Sequence, residues 1–324
     1  MTVFPAELAG LEESLTKRLA DVETMLRAEI TSEYELADIT ARHLVEAGGK
    51  RFRPLLTLLA SHFGNPDAPG VVPSAVVVEL THLATLYHDD VMDEALVRRG
   101  APSANSRWGN TVAILSGDFL FARSSKILAD LGPEAVRVQA ETFERLVIGQ
   151  LRESVGPQYG EDPIDHHIQV LADKTGSLIA AAGRYGAMMS GVDPVLTNHI
   201  ADFGECIGVV FQLSDDLLDI ESEVSGKTPG TDLREGIKTL PVLLALADEN
   251  TSEELRNLLS GPLQDESLHA RALSELRNHP AMDQARGVLN SWAQKARDLL
   301  GNLPDIEAKT ALSVLVDSVT DRKI

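Results

Sequence analysis

The chain has 324 residues, enough for one large domain or two small ones, with 44% hydrophobic and 24% charged residues. Its formal charge of −20 argues against nucleic acid or an anionic lipid surface as a long-range partner. A single cysteine, Cys206, excludes an intrachain disulfide and a cysteine-based zinc site, and aromatics at 4% leave the core to aliphatic side chains, which favours helices.

Met1 to Leu19 lacks the basic segment and apolar run of a signal peptide. Leu8, Leu11, Leu15 and Leu19 instead recur at spacings of three and four, the period of an amphipathic helix. Ile30, Tyr34, Leu36 and Ile39 follow that period more loosely. Val71 to Tyr87 holds few polar residues; it is too long for a buried strand and predicts a helix buried on most sides. Glu134 to Glu153 is amphipathic. Ser177 to Gly191 is the most apolar stretch, but Arg184 interrupts it, and nothing approaches the roughly 20 apolar residues of a membrane span. Ile200 to Ile220, Leu240 to Leu246 and Leu255 to Leu259 continue the helical theme. Breaks at Gly48–Gly49, Gly64 to Pro73, Gly100 to Pro102, Gly156 to Pro163, Gly191 to Pro194, Ser225 to Gly230, Gly261–Pro262 and Gly301 to Pro304 read as turns, not linkers. With no strand alternation and no internal repeat, the expectation is one all-α domain over residues 1–324, its last ~60 residues more polar.

Two carboxylate clusters end apolar helices. Asp89, Asp90 and Asp93 follow the helix that begins near Val71, and Asp215, Asp216 and Asp219 end the Ile200 to Ile220 helix. In each, the first and last Asp are four apart and share a helix face. Three carboxylates there are costly without a counter-charge, and hard oxygen ligands suit magnesium bridging to substrate phosphates. A single Asp-Asp-x-x-Asp is often only a solvated helix end; two copies on apolar helices favour metal binding without naming a reaction.

Cations gather at the turns. Gly48-Gly49-Lys50-Arg51-Phe52-Arg53-Pro54 sets three beside two glycines, and Arg98-Arg99-Gly100 follows the first aspartate cluster. Lys174-Thr175-Gly176, Gly226-Lys227-Thr228 and Lys238-Thr239 each pair a cation with a hydroxyl. Any one alone reads as a solvated loop charge. Together, in so acidic a chain, they resemble the cation-plus-metal solution to a phosphate leaving group.

In this order, with Glu79 and His82, Gly117-Asp118, Phe211-Gln212 and Asp232, these motifs resemble the polyprenyl synthetase family, the trans-isoprenyl diphosphate synthases, over nearly the whole chain. The resemblance implies a bundle of long antiparallel helices around a central cavity, usually a homodimer, with two or three Mg2+ ions. Lys50, Arg53, His82 and Arg99 would hold isopentenyl diphosphate. Arg98, Lys174, Thr175, Gln212 and Lys227 would hold the allylic diphosphate, with Lys174, Thr175 and Gln212 also shielding the allylic cation. Asp89, Asp93 and Asp215 would bind magnesium, supported by Asp90, Asp216 and Asp219. A cytoplasmic enzyme with transient membrane contact for product release is expected.

Within that resemblance, the residues four and five before Asp89 border the growing chain. Here they are Thr85 and Ala84, both small, with Thr81, Leu80 and Val77 deeper. At about 5.4 Å per helical turn, roughly one isoprene unit, several open turns predict a long product of about eight units. Phe143 is either the floor of that tunnel or an ordinary core aromatic, and Tyr87 is a second side chain placed to narrow it. The Val147-Ile148-Gly149-Gln150 region also resembles long-chain members that supply quinone side chains. The alternatives are a short-chain farnesyl or geranylgeranyl diphosphate synthase and a non-catalytic subunit of a heteromeric synthase. A terpene cyclase or a purely structural bundle would not need this paired arrangement.

Overall fold

The computed structural model describes residues 4–221 and 229–321. α1 Ala9–Glu29, α2 Glu35–Glu46, α3 Phe52–Ser61 and α4 Val71–Met92 come first. Two short strands, β1 Val97–Arg98 and β2 Ala101–Pro102, precede α5 Ala104–Trp108, α6 Asn110–Leu131 and α7 Pro133–Val155. α8 Pro163–Leu171 passes through a π-helical turn, Ala172–Gly176, into α9 Ser177–Met189. Then follow α10 Pro194–Glu221, α11 Thr231–Glu235, α12 Leu240–Ala247, α13 Glu253–Leu258, α14 Glu266–Arg277, α15 Pro280–Leu300 and α16 Glu307–Thr320.

The fold is all-α, as the periodicity predicts, with two departures. The loose repeat from Ile30 to Ile39 is not one helix: α1 stops at Glu29, α2 starts at Glu35, and Tyr34, Leu36 and Ile39 are exposed. The expectation of no strands fails at β1 and β2, which pair antiparallel with Val97 opposite Pro102 and Arg98 opposite Ala101. The two residues between them, Arg99 and Gly100, have φ of 54° and 77°. A two-residue hairpin favours such left-handed pairs because their twist matches the strands.

Contacts divide the chain into two units: the chain up to Glu144 with Leu178–Gly204 and Asn302–Leu312, and Arg145–Ser177 with Glu205–Gly301 and the chain from Ser313. α4 is the centre of the first unit and packs against α1, α3 and α6. Val71, Ala75, Val76, Val77, Val78, Leu80, Leu83 and Ala84 are all sealed from solvent, so this helix is buried on most of its sides. Buried tyrosines tie neighbours to this core through their hydroxyls. Tyr87 donates to Thr40 O and accepts from Leu44 N at 3.3 Å, and Tyr185 donates to Ala135 O at 2.8 Å. Tyr87 is thereby committed to the seam between α2 and α4, which corrects its reading as a side chain narrowing a channel. In the second unit α12, apolar throughout, packs against α15 and α8.

Close helix approach in the first unit depends on glycine. A Cβ on Gly186 would lie 2.0 Å from Thr57 O and 2.9 Å from the Ala60 Cβ, so α9 meets α3 backbone to side-chain stub. Gly186→Ala is expected to lower the unfolding free energy by about 1–3 kcal/mol, the usual cost of overpacking. The readout is a lower urea midpoint with an unchanged slope.

Candidate active site

The cationic turn after α2 is held by two arginines in the left-handed region, Arg51 at φ 49° and Arg99 at φ 54°. Side chains rarely adopt that conformation, and it persists only where surroundings enforce it. Arg51 is enforced by carboxylates: it donates to Glu79 Oε1 at 2.7 Å, to Glu23, and to Val45 O at 3.2 Å. Burial alone would lower its pKa, but Glu23 and Glu79 raise it above the ordinary value. Arg99 reaches back to Leu44 O at 3.0 Å and to Gly48 O. Gly49 leaves room for it, since a Cβ there would sit 3.1 Å from its guanidinium.

Arg53 stands in the first turn of α3, and its buried Nε has no hydrogen-bond partner. Burial, with Arg99 adding to it against Glu79, pulls its pKa down to about 10. His82, on α4, is driven well below the ordinary histidine value by burial and by Arg53, Arg99, Arg51 and Arg98. Arg53, His82 and Arg99 therefore share one positive field, balanced within this unit chiefly by Glu79, itself 2% exposed. An orphaned guanidinium N–H beside a neutral imidazole in such a field has the chemistry to accept an anion. Lys50 lies exposed at the start of the same turn.

The first aspartate cluster occupies the last turn of α4, where the helix dipole already disfavours negative charge. Asp90 is fully buried. Its Oδ1 accepts from Arg98 Nε at 2.6 Å, and its Oδ2 has no hydrogen-bond partner. Burial holds its carboxyl above the usual range against the pull of Arg98. Asp89 is half-buried and Asp93 exposed.

In the second unit, Asp215, Asp216 and Asp219 lie in the last two turns of α10. Asp216 is buried, its Oδ2 2.8 Å from His167 Nε2 and accepting from Leu240 N at 3.1 Å. Asp219 accepts from Thr231 N at 3.0 Å and Asp232 N at 3.2 Å, so it caps α11. Asp215 is half-buried. Gln212 sits one turn earlier and is also half-buried. Lys174 and Thr175 fall inside the π-turn, where Lys174 Nζ pairs with Glu153. Such turns are frequent at functional sites. Lys227 lies outside the described residues.

Among the chain-length residues, Ala84 is sealed and Thr85 nearly so, its hydroxyl bonded to His82 O at 2.8 Å. Phe143 is half-buried and stacks edge-on against Phe121 at 4.6 Å, which lies 5.8 Å from His88. An aromatic row thus leads from the neighbour of Asp89 to Phe143. Charge partners such as Glu23, Glu153, Arg145 and His167 are not visible as motifs.

A family model described as polyprenyl synthetase matches residues 35–276. The chain belongs to the polyprenyl synthetase family. A nonaprenyl diphosphate synthase of Mycobacterium tuberculosis is 49% identical over 94% of this chain and 92% of that protein. A dimethylallyltranstransferase of the same organism is 40% identical over 92% of each. Among solved structures, a geranylgeranyl pyrophosphate synthase from Corynebacterium glutamicum, complexed with calcium and isoprenyl diphosphate, aligns with a TM-score of 0.87 at 44% identity over 97% of each chain.

Polyprenyl synthetases imply a divalent metal, and the donor types here fit one. Both clusters offer hard carboxylate oxygens at helix C-termini, and the buried Asp90 Oδ2 lacks a protein hydrogen bond. Among the described residues no three acidic, His or Cys side chains converge within one metal-binding group.

The neutrality of His82 has a pH signature. The folded state binds fewer protons at this site than the unfolded chain, whose imidazole titrates near 6.5. Stability is therefore undiminished above that value and falls as pH drops below it. His82→Asn is expected to make the fall in urea midpoint between about pH 7 and pH 5 shallower than in the wild type. An unchanged slope would show that His82 does not carry that proton.

Proposed function

We propose that this polyprenyl synthetase condenses isopentenyl diphosphate with an allylic diphosphate to build a long-chain all-trans polyprenyl diphosphate, for a quinone side chain. The observation that carries it is the buried positive field of Arg53 and Arg99 around the neutral His82 of the carboxylate-ended α4, with an unpartnered Arg53 N–H. In this reading residues 1–324 act as one catalytic domain.

Lys50, Arg53, His82 and Arg99 hold the diphosphate of isopentenyl diphosphate. Arg98, Lys174, Thr175, Gln212 and Lys227 hold the allylic diphosphate. Asp89, Asp93 and Asp215 hold magnesium, two or three ions, with Asp90, Asp216 and Asp219 fixing the geometry through Arg98, His167 and the start of α11. When bound, the metal supplies Lewis-acid stabilisation of charge on the departing diphosphate. The allylic C–O bond breaks with its electron pair leaving on that diphosphate. The hydroxyl of Thr175 and the amide of Gln212 shield the allylic cation from water. The double bond of isopentenyl diphosphate then forms the new C–C bond, and the proton lost from the adjacent carbon goes to the released diphosphate.

Long-chain specificity is supported by the small Ala84 and Thr85 and by likeness to a nonaprenyl diphosphate synthase, with Phe143 as the proposed floor. A second reading, a short-chain synthase, is favoured by likeness to a dimethylallyltranstransferase and a geranylgeranyl pyrophosphate synthase. A homodimer is supported by apolar side chains left open on α6 and α7: Ile114, Leu115, Val136, Val147, Leu151 and Val155. No helix among the described residues is long and apolar enough to cross a membrane. The proposed setting is the cytoplasm, with brief membrane contact as the product leaves.

The test incubates the purified chain with magnesium, labelled isopentenyl diphosphate and farnesyl diphosphate, and sizes the dephosphorylated products. A ladder ending near about eight units is expected from the helical rise. An end at three or four units supports the short-chain reading, and no product supports a partner subunit. Ala84→Phe is expected to shorten the product; unchanged length would remove Ala84 from the tunnel wall.

A further inference from the structure

The π-turn Ala172–Gly176 is gripped within its own unit. From α7, Arg145 donates through Nε to Asp173 Oδ1 at 3.0 Å and through Nη1 to Glu205 Oε2 at 2.6 Å. From α8, Gln169 Nε2 donates to Asp173 Oδ2 at 2.8 Å, so both oxygens of this carboxylate, 6% exposed, are engaged. Ser177 Oγ donates to Asp173 O at 2.5 Å.

Two glycines bring the backbone under the same grip. A Cβ on Gly149 of α7 would lie 2.6 Å from Lys174 N and 3.0 Å from Asp173 C. A Cβ on Gly176 would lie 3.2 Å from both the Cγ and the carbonyl oxygen of Glu205 on α10. Arg145 is therefore one ion-paired strut between α7, the turn and α10, set one helical turn before the glycine that touches the turn. Its charge is well matched: burial would lower its pKa, and the carboxylates of Glu205 and Asp173 raise it.

A π-turn carries one extra residue in the helical register and is seldom stable without outside support. Its side chains point where they do only if the register is held. We propose that Asp173, clamped by Arg145 and Gln169, is the positioning residue that fixes the π-turn and so aims Lys174 and Thr175 at the allylic diphosphate. Asp173 and Arg145 touch no substrate in this scheme. Gly149 is required by the same contact, which gives that position a packing reason independent of product length.

The inference rests on the prenyltransfer reading, but its physical half is separable. Asp173→Asn keeps the shape and removes the charge; Gln169→Leu loosens only the second oxygen and serves if the first variant folds poorly. In the full chain with magnesium, isopentenyl diphosphate and farnesyl diphosphate, Asp173→Asn is expected to lower kcat by up to about 10²-fold, the scale of a misplaced reacting group. KM for isopentenyl diphosphate should stay unchanged. In a Lys174→Ala background the same change should cost little more, because the residue acts through Lys174. Amide hydrogen exchange across residues 173–177 should be slow in the wild type and accelerate in both variants.

Full additivity with Lys174→Ala, or unchanged exchange, overturns the proposal. A wild-type chain that makes no product would sink the prenyltransfer reading instead, and the exchange data would still judge the clamp on their own.

Discussion

A protein of net charge −20 that takes up diphosphates has to reverse the sign of its own field at the point of binding. The buried carboxylate of Glu79 is what allows this. Placed on α4 where no water reaches, it lets Arg51, Arg53 and Arg99 lose their hydration without flying apart. Removing one partner from such a buried pair generally costs about 3–5 kcal/mol, since the other charge is then stranded. The balance is deliberately incomplete. One carboxylate, helped by Glu23, faces three guanidiniums; burial, with the surplus positive potential adding to it, holds the His82 pKa well below the ordinary value, and Arg53 Nε is left without a partner.

The aspartate clusters show the same division of labour. In each, some carboxylates are spent on the protein itself. Asp90 takes Arg98, Asp216 takes His167 and the start of α12, and Asp219 caps α11. These bonds fix the direction of the helix ends that carry Asp89, Asp93 and Asp215. Carboxylates massed at helix C-termini oppose the helix dipole, so the arrangement is stable only with strong local donors or added cations. Arg98 supplies such a donor to Asp90, Leu240 N to Asp216, and the first backbone amides of α11 to Asp219.

The sequence made the fold class legible because nearly every long helix is periodic or wholly apolar, and α4 and α10 stand out by both length and composition. It failed where local propensity and packing disagree. Ile30 to Ile39 kept a helical rhythm although Tyr34, Leu36 and Ile39 remain at the surface, and the Val97 to Pro102 hairpin is too short to leave an alternation. The candidate site residues stood out in the sequence because cations gather at glycine turns in so acidic a chain and because both aspartate clusters end apolar helices. Their supports did not. Arg145, Glu153 and His167 are ordinary polar residues on amphipathic helices, and only three-dimensional proximity distinguishes them from solvated ones. Tyr87 shows the converse: beside the aspartates it looked like a channel residue, yet its hydroxyl belongs to α2.

The pairing of Lys174 with Glu153 gives the free protein a resident occupant at that cation. An anion arriving at Lys174 therefore does not fill an empty place; it must evict a carboxylate. A singly charged or poorly aligned anion gains little by that exchange, whereas a diphosphate, with several oxygens and a higher charge, gains at every one. If Lys174 holds the allylic diphosphate as proposed, Glu153 would act as a threshold on entry, favouring a multiply charged anion over a simple one.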